Sequence, residues 1–534
     1  KVNVFTRFTL ALFGQIPWRT TPAMPIEIVL LPEWFFFHLH KVSYWSRTVL
    51  VPLLILYARR PVCRLRPEEG VSELFREPPD SLYHLDGFIP GNPMKNMFIL
   101  IDRILKRTQQ FIPKRLRTEA TRTAEAWTVA RMGEGGLGAI FPAMANSVMA
   151  LKVLGYPDDH PDYQRGVKAL DDLFLTRGDE AFCQPCFSPI WDTCLSISAM
   201  TESETPPDDQ SMTKALDWLF SQLILVRGDW SFWVPGLEPG GWAFQFENTF
   251  YPDVDDTPMV LMAALRSGVL DRDEYREKMV KAVNWVIGMQ SRDGGWGSFD
   301  VDNSYLYLNE IPFADHGALL DPSTSDLTAR CVELLAMLGF KRDFPPIARA
   351  LQFLRKEQES FGGWYGRWGV NYIYGTWSVL MALKQLGEDM SQPAVRKAAA
   401  WLKSCQNFDK GWGESCYTYN DPGLAGQGAS TASQTAWALL GLMAAGEINS
   451  FEVQRGIDYL IKTQTAAGGW DEKLYTGTGF PRVFYLRYHG YSQYFPLWAL
   501  GVYRRLRSGR ATRQDETRLD TPFDLSRSSV PVDR

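Results

Sequence analysis

Apolar stretches of helical length, at residues 257–266, 376–386 and 433–445, alternate in the second half of the chain with one recurring motif. Each copy runs from small or apolar residues, usually led by a basic one, to an aromatic, then to Gln, a turn, Gly and Trp. Lys281-Ala282-Val283-Asn284-Trp285 leads to Gln290 and Gly294-Gly295-Trp296, and Ala350-Leu351-Gln352-Phe353 leads to Gln358 and Gly362-Gly363-Trp364. Lys397-Ala398-Ala399-Ala400-Trp401 leads to Gln406 and Gly411-Trp412, and Arg455-Gly456-Ile457-Asp458-Tyr459 leads to Gln464 and Gly468-Gly469-Trp470. An earlier copy, Lys214-Ala215-Leu216-Asp217-Trp218, leads to Gln222 and Gly228-Asp229-Trp230 with a longer spacing. Each copy reads as the last turns of a helix, a Gly-containing stop and a Trp folding back. The Gln amide can hydrogen-bond a neighbouring helix end while the indole stacks over it. Helix pairs joined by one repeated turn predict an all-α fold, either a closed α/α barrel or a solenoid. These Gln and Trp residues are expected to staple the scaffold and to take no part in chemistry.

Upstream of Phe187 the repeat is worn: Ala126-Trp127 to Gly135-Gly136-Leu137 and Arg165-Gly166-Val167 to Arg177-Gly178 keep the outline without Gln or Trp. A boundary near Cys186 and Phe187 therefore separates a first domain, 1–186, from a second, 187–506. Residues 507–534 are polar and charged without periodicity and are expected to form a disordered tail. Residues 95–117 put Met97, Ile101, Ile104, Leu105 and Phe111 near Lys95, Arg103, Lys106, Arg107, Lys114, Arg115 and Arg117. A basic amphipathic helix of this kind suits an anionic bilayer surface, or packs on its own domain.

Composition narrows the classes. With 19 Trp, 31 Phe and 21 Tyr the chain can bury a large aromatic core, and a net charge of −5 gives no reason to expect nucleic acid. The seven Cys are scattered, and the one close pair, Cys183-Gln184-Pro185-Cys186, has no partners at zinc spacing, which favours a reducing, intracellular setting. The apolar runs 28–31 and 49–57, the second interrupted by Pro52, fall short of the roughly 20 residues of a spanning helix. The chain opens at Lys1 with neither an initiator Met nor a signal-peptide pattern, so it is expected to be a fragment lacking its natural N-terminus.

The chemistry concentrates in Asp253-Val254-Asp255-Asp256-Thr257, which follows Gly240-Gly241-Trp242-Ala243-Phe244-Gln245-Phe246-Glu247-Asn248 and Tyr251-Pro252. Like charges this close cannot all ionise cheaply, so the cluster holds a proton at a raised pKa. In a dry site walled by rings, such an acid can protonate an unactivated carbon–carbon double bond. The same string fits the Asp-x-Asp-x-Thr nucleophile loop of Mg²⁺-dependent phosphatases, although no apolar strand precedes it here. Carboxylates among aromatics also suit an α/α-barrel glycoside hydrolase or lyase, for which a polar, open cleft is required.

Taken together, the acid motif, the repeats, Gln184-Pro185 through Ser188-Pro189-Ile190-Trp191-Asp192-Thr193, and Thr476-Gly477-Thr478-Gly479-Phe480-Pro481 resemble the squalene–hopene cyclases, class II triterpene cyclases. The resemblance covers the chain up to its tail. It implies two α/α barrels enclosing a large apolar cavity, seated monotopically on the cytoplasmic face of a bacterial inner membrane. It implies squalene as substrate and no metal or organic cofactor; the sequence leaves the oligomeric state open, a homodimer among the options, since no charge pairing fixes a dimer contact. Another linear polyprene remains an alternative substrate. By position, Asp255 resembles the proton donor, with Asp253 and Asp256 tuning it. Arg330, in Asp326-Leu327-Thr328-Ala329-Arg330, stands where the best-known members have His, and Tyr374 resembles the hydroxyl beside the donor. Asp326 belongs to the same catalytic set. Trp191, Asp192, Phe244, Phe299, Trp368, Phe480, Phe484, Tyr488 and Tyr491 match substrate- and cation-facing positions, and Trp45 and Phe313 match the substrate-access side. The sequence is expected to lack the family's N-terminal segment, and Phe141 stands where some members have Gln.

Overall fold

The computed structural model describes residues 2–81, 87–206, 209–268 and 273–525. Their regular secondary structure is helical apart from three two-stranded hairpins: β1 Met132–Gly133 with β2 Gly136–Leu137, β3 Phe174–Arg177 with β4 Glu180–Cys183, and β5 Gly477–Phe480 with β6 Phe484–Leu486. Two compact units divide the chain, Lys1–Phe187 with Asn303–Asp321, and Ser188–Asp302 with Pro322–Arg534. The division falls beside the expected boundary. The excursion of residues 303–321 into the first unit has no signature in the repeat pattern, and a backbone bridge between Asn303 and Asp321 closes it.

The first unit contains α1 Val4–Leu12, α2 Tyr44–Arg59, α3 Pro93–Thr108, α4 Lys114–Ala130, α5 Phe141–Leu154 and α6 Pro161–Asp171. Its centre is α2, whose apolar run is buried on every side against α4 and α5. The amphipathic segment expected over 95–117 is two helices. The first stops at Thr108, a single 3₁₀ turn Gln109–Phe111 follows, and Pro113 caps the start of α4, which Lys114, Arg115 and Arg117 begin. Among the described residues no helix is long and apolar enough to cross a membrane.

The second unit is an α/α barrel. α7 Pro189–Glu202, α9 Asp256–Arg266, α11 Ser325–Met337, α13 Tyr372–Leu386, α15 Ala432–Ala444 and α17 Tyr491–Arg507 pack in order, and α17 returns to α7 to close the ring. Outside it lie α8 Gln210–Ser221, α10 Asp273–Gly288, α12 Pro345–Lys356, α14 Pro393–Ser404 and α16 Phe451–Thr463. An inner helix has neighbours on every side, so α11 is buried along its whole length. An outer helix needs only one apolar stripe, and α12 buries half of its residues.

The repeat builds the joints. The Nε1–H groups of Trp296, Trp364, Trp412 and Trp470 donate to the carbonyls of Val286, Leu354, Leu402 and Leu460 at 2.7–2.8 Å. Gln290, Gln358 and Gln406 each donate to the turn carbonyl four residues on and to the start of the next outer helix, at Pro346, Ala394 and Glu452, all at 2.8–2.9 Å. The residue two before Trp is left-handed, with φ of 93°, 111° and 86° at Gly294, Gly362 and Gly468 and 81° at Lys410. Lys410 carries there the strain that glycine avoids, about 1 kcal/mol.

Two expectations need correction. In the first copy the stapling tryptophan is Trp242, whose Nε1–H donates to Leu219 O at 2.6 Å, whereas the Trp230 Nε1 is buried without a partner. A longer loop after Gln222 displaces the staple. The polar tail is ordered as far as residue 525: α17 runs to Arg507, and α18 Arg513–Glu516 starts with a Thr512–Asp515 capping box. Beyond it, Leu519 and Phe523 donate backbone N–H bonds to Met337 and Leu338, both at 2.9 Å. Its charges are paired (Arg505, for instance, with Glu516 and Glu202), which composition alone does not reveal. Residues 526–534 lie outside the described residues.

Candidate functional site

The acid motif is pinned at the start of α9. Trp242 N–H donates to Thr257 Oγ1 at 2.9 Å, that hydroxyl donates to Asp253 O at 2.7 Å, and Asp253 N–H donates to Trp242 O at 2.7 Å. Asp255 is the N-cap residue, its N–H donating to Asp253 Oδ1 at 2.5 Å, and Asp256 opens the helix. All three carboxylates are at most 6% exposed.

Three neighbouring inner helices converge on Asp255. Arg330 of α11 is itself buried; its Nη1 donates to Asp255 Oδ1 and its Nη2 to the Tyr374 hydroxyl of α13 at 2.9 Å. The guanidinium also lies 5.1 Å from the centre of the Trp191 ring of α7 and 5.7 Å from that of Tyr374. Burial, then the nearby Asp253 and Asp192 charges, pushes the Asp256 carboxyl well above the usual carboxylate range, and its Oδ1 has no hydrogen-bond partner. Within the cluster, Asp256 is thus the carboxyl whose ionisation burial and its acidic neighbours oppose. Burial also raises Tyr374, against the pull of Arg330, so its hydroxyl stays protonated.

The rings form two sets. Trp191 Nε1–H donates to the Tyr491 hydroxyl at 2.9 Å, Tyr491 stacks on Tyr488 at 4.3 Å, and Phe244 stands edge-on to Tyr488 at 6.2 Å. In the second set Phe299 is edge-on to Trp368 at 6.5 Å, and Trp368 Nε1–H donates to Ser298 Oγ at 2.8 Å. The β5–β6 hairpin brings Phe480 and Phe484, 6.4 Å apart, alongside through Thr478 N–H to Trp368 O at 3.1 Å. Asp192 accepts hydroxyl bonds from Ser188 at 2.7 Å and Tyr494 at 2.9 Å, and burial raises its pKa.

Asp326 does not join the acid pair. Its carboxylate accepts the Thr324 hydroxyl at 2.6 Å and the backbone N–H groups of Arg367 at 2.8 Å and Trp368 at 3.2 Å. Among the described residues no hydrogen bond links it to Asp255 or Arg330, so it positions the Trp368 loop. The sequence reading also missed Trp437 of α15, which touches Tyr374 at 4.8 Å and Tyr491 at 5.8 Å and so connects the acid site to the first ring set. Its signal was hidden, because an aromatic in an apolar inner helix looks like core.

In the first unit Phe313 lines an apolar cavity of about 390 Å³ with Phe35, Phe36, Phe98 and Leu105. Trp45 does not line it; it is buried, and its indole N–H donates to Ala318 O at 2.5 Å.

Two family models match this chain: the squalene-hopene cyclase N-terminal domain over residues 1–179 and the C-terminal domain over residues 187–505. A squalene–hopene cyclase of Zymomonas mobilis is 51% identical over 519 residues, covering 95% of this chain and 78% of its own. One from Alicyclobacillus acidocaldarius is 41% identical over 506 residues, covering 94% and 79%. Among solved structures, the ent-copalyl diphosphate synthase of Streptomyces platensis shares the fold, with a TM-score of 0.52 at 17% identity over 86% of this chain and 76% of that one.

Proposed function

The chain belongs to the squalene–hopene cyclase family, and we infer that it cyclises squalene to hopene and hopanol by protonating a terminal double bond from Asp255. The observation that carries this reading is the buried Arg330–Asp255 pair beside Asp256, whose carboxyl burial and the Asp253 and Asp192 charges push upward. In this reading Asp255 gives its proton from the oxygen not bonded to Arg330, while burial and the Asp253 and Asp192 charges oppose ionisation of Asp256 beside it. Transfer of that proton to the terminal alkene carbon leaves a tertiary cation, and Arg330 holds the carboxylate that results. Each ring closure consumes one double bond and moves the cation on. Loss of a proton at the end returns the balance and gives hopene, an isomer of squalene; capture of water gives hopanol.

The rings face cations that have shed their water. A desolvated cation over an aromatic face gains of order 2 kcal/mol, so two or three rings lower a barrier enough for about a thousandfold in rate. The test is incubation of detergent-solubilised protein with squalene, followed by gas chromatography–mass spectrometry of the lipid extract. A pentacyclic product of substrate mass is expected. Unreacted squalene from folded protein, with turnover of another linear polyprene, would reassign the substrate.

The same reading seats the protein on the cytoplasmic face of a bacterial inner membrane. Support comes from α3, where Ile101 and Leu105 face the first unit's cavity while Met97, Leu100 and Ile104, each about half exposed, face outward beside Lys95 and Arg103. Trp34 and Phe111 are exposed still further, at 81% and 77%. Met97→Glu with Ile104→Glu is expected to lower sedimentation with anionic liposomes at least tenfold at unchanged melting temperature. Undiminished sedimentation would remove α3 from the membrane contact.

A further inference from the structure

Below the acid pair, the same two helices are tied together a second time. Arg266, at the end of α9, donates from Nη2 to Glu333 Oε1 of α11 at 2.8 Å, and Glu333 lies one helical turn beyond Arg330. Gln514 of α18 closes the set, its Nε2 donating to Glu333 Oε1 at 2.6 Å and its Oε1 accepting from Arg266 Nη2 at 3.3 Å. Arg266 also donates to Ser198 Oγ at 3.2 Å, and its guanidinium lies 4.9 Å from the centre of the Trp498 ring. All three side chains are buried.

We propose that Glu333 is a positioning residue for the acid: it offsets the field of Arg330, and with Arg266 and Gln514 it sets how readily Asp255 parts with its proton. Two residues three apart on a helix are neighbours, and in a dry interior their charges act over about 10 Å with little screening. Burial raises the Glu333 carboxyl, while Arg266, then Arg330, pull it the other way. Other titratable groups that interact with Arg266 or Arg330 are Glu202 and Cys194 on α7, Asp255 at α9, Cys331 on α11 and Tyr374 on α13, and Asp192, Asp253, Asp256 and Asp326 act on these at one remove. Arg505 of α17 and Glu516 of α18 surround Glu202 at one remove. The charged residues of α12 are not buried.

The experiment reads kcat against pH at saturating squalene. Activity needs protonated Asp255, so the rate falls as pH rises through the donor's titration. Glu333→Gln removes a negative charge, favours the carboxylate, and is expected to move this limb about one unit to lower pH. Arg266→Gln removes a positive charge from farther off and is expected to move it about half a unit to higher pH, at unchanged KM. A purely structural role would lower rate and melting temperature in both variants with the limb unmoved, and that result overturns the proposal. If Glu333→Gln does not fold, an unmoved limb in Arg266→Gln alone overturns it. The proposal rests on Asp255 being the acid, so Asp255→Asn is assayed alongside. Activity retained there would fail that assignment, whereas an inactive Asp255→Asn with unmoved limbs in the other two would fail this proposal alone.

Discussion

Asp255→Asn is expected to cut squalene turnover by at least about 10⁴-fold, the upper range for loss of a general acid, because an alkene offers no easier route to its first cation. The substitution keeps shape and removes only the transferable proton. The amide oxygen can still accept from Arg330, and the N-cap backbone bond to Asp253 Oδ1 does not involve the side chain of residue 255. The stability cost is therefore below the roughly 3–5 kcal/mol of stripping a buried ion of its partner outright. Circular dichroism should show native helix content while mass spectrometry shows unreacted squalene. Folded Asp255→Asn retaining more than a tenth of the activity would take the acid role from Asp255. Asp256, whose carboxyl burial pushes upward and whose Oδ1 has no hydrogen-bond partner, would then be the next donor to test.

Where a residue's role depends on local spacing, the sequence was readable. The four regular Gln-to-Trp copies were read as joints because a helix stop, a left-handed residue and a returning indole must follow at fixed intervals. Where a role depends on partners distant in sequence, it was hidden. Trp242 replaces Trp230 because an inserted loop broke the spacing while preserving the bond to the end of α8. Residues 507–525 look like a solvated tail until Gln514 is placed between Arg266 and Glu333, about 180 or more positions away in the chain. Asp326 resembles its acidic neighbours by type, yet its carboxylate is consumed by the backbone of the Trp368 loop. The cluster of three aspartates announced a raised carboxyl, but only burial and the placement of Asp253 and Asp192 single out Asp256, and only the fold brings Arg330 to Asp255.

Arg330→Leu is expected to lower kcat by about 10²- to 10³-fold while leaving squalene binding nearly intact. Two effects add. The cation no longer stabilises the carboxylate formed as the proton leaves, which makes Asp255 a weaker acid. Tyr374 and Trp191 also lose the group that holds them to Asp255, since Arg330 bonds one hydroxyl and underlies both rings. The sign of the pH effect follows from the first. With the cation gone, the donor keeps its proton to higher pH, so the descending limb of the rate profile moves up even as the plateau falls. Arg330→His separates charge from shape. An imidazole with an ordinary pKa near 6.5 is cationic only in acid. This variant should therefore approach wild-type rate at low pH and behave like Arg330→Leu above about pH 7, adding a limb the arginine enzyme lacks. A flat ratio of the two variants across pH would mean that the guanidinium acts by geometry alone, and its charge would have to be dropped from the mechanism.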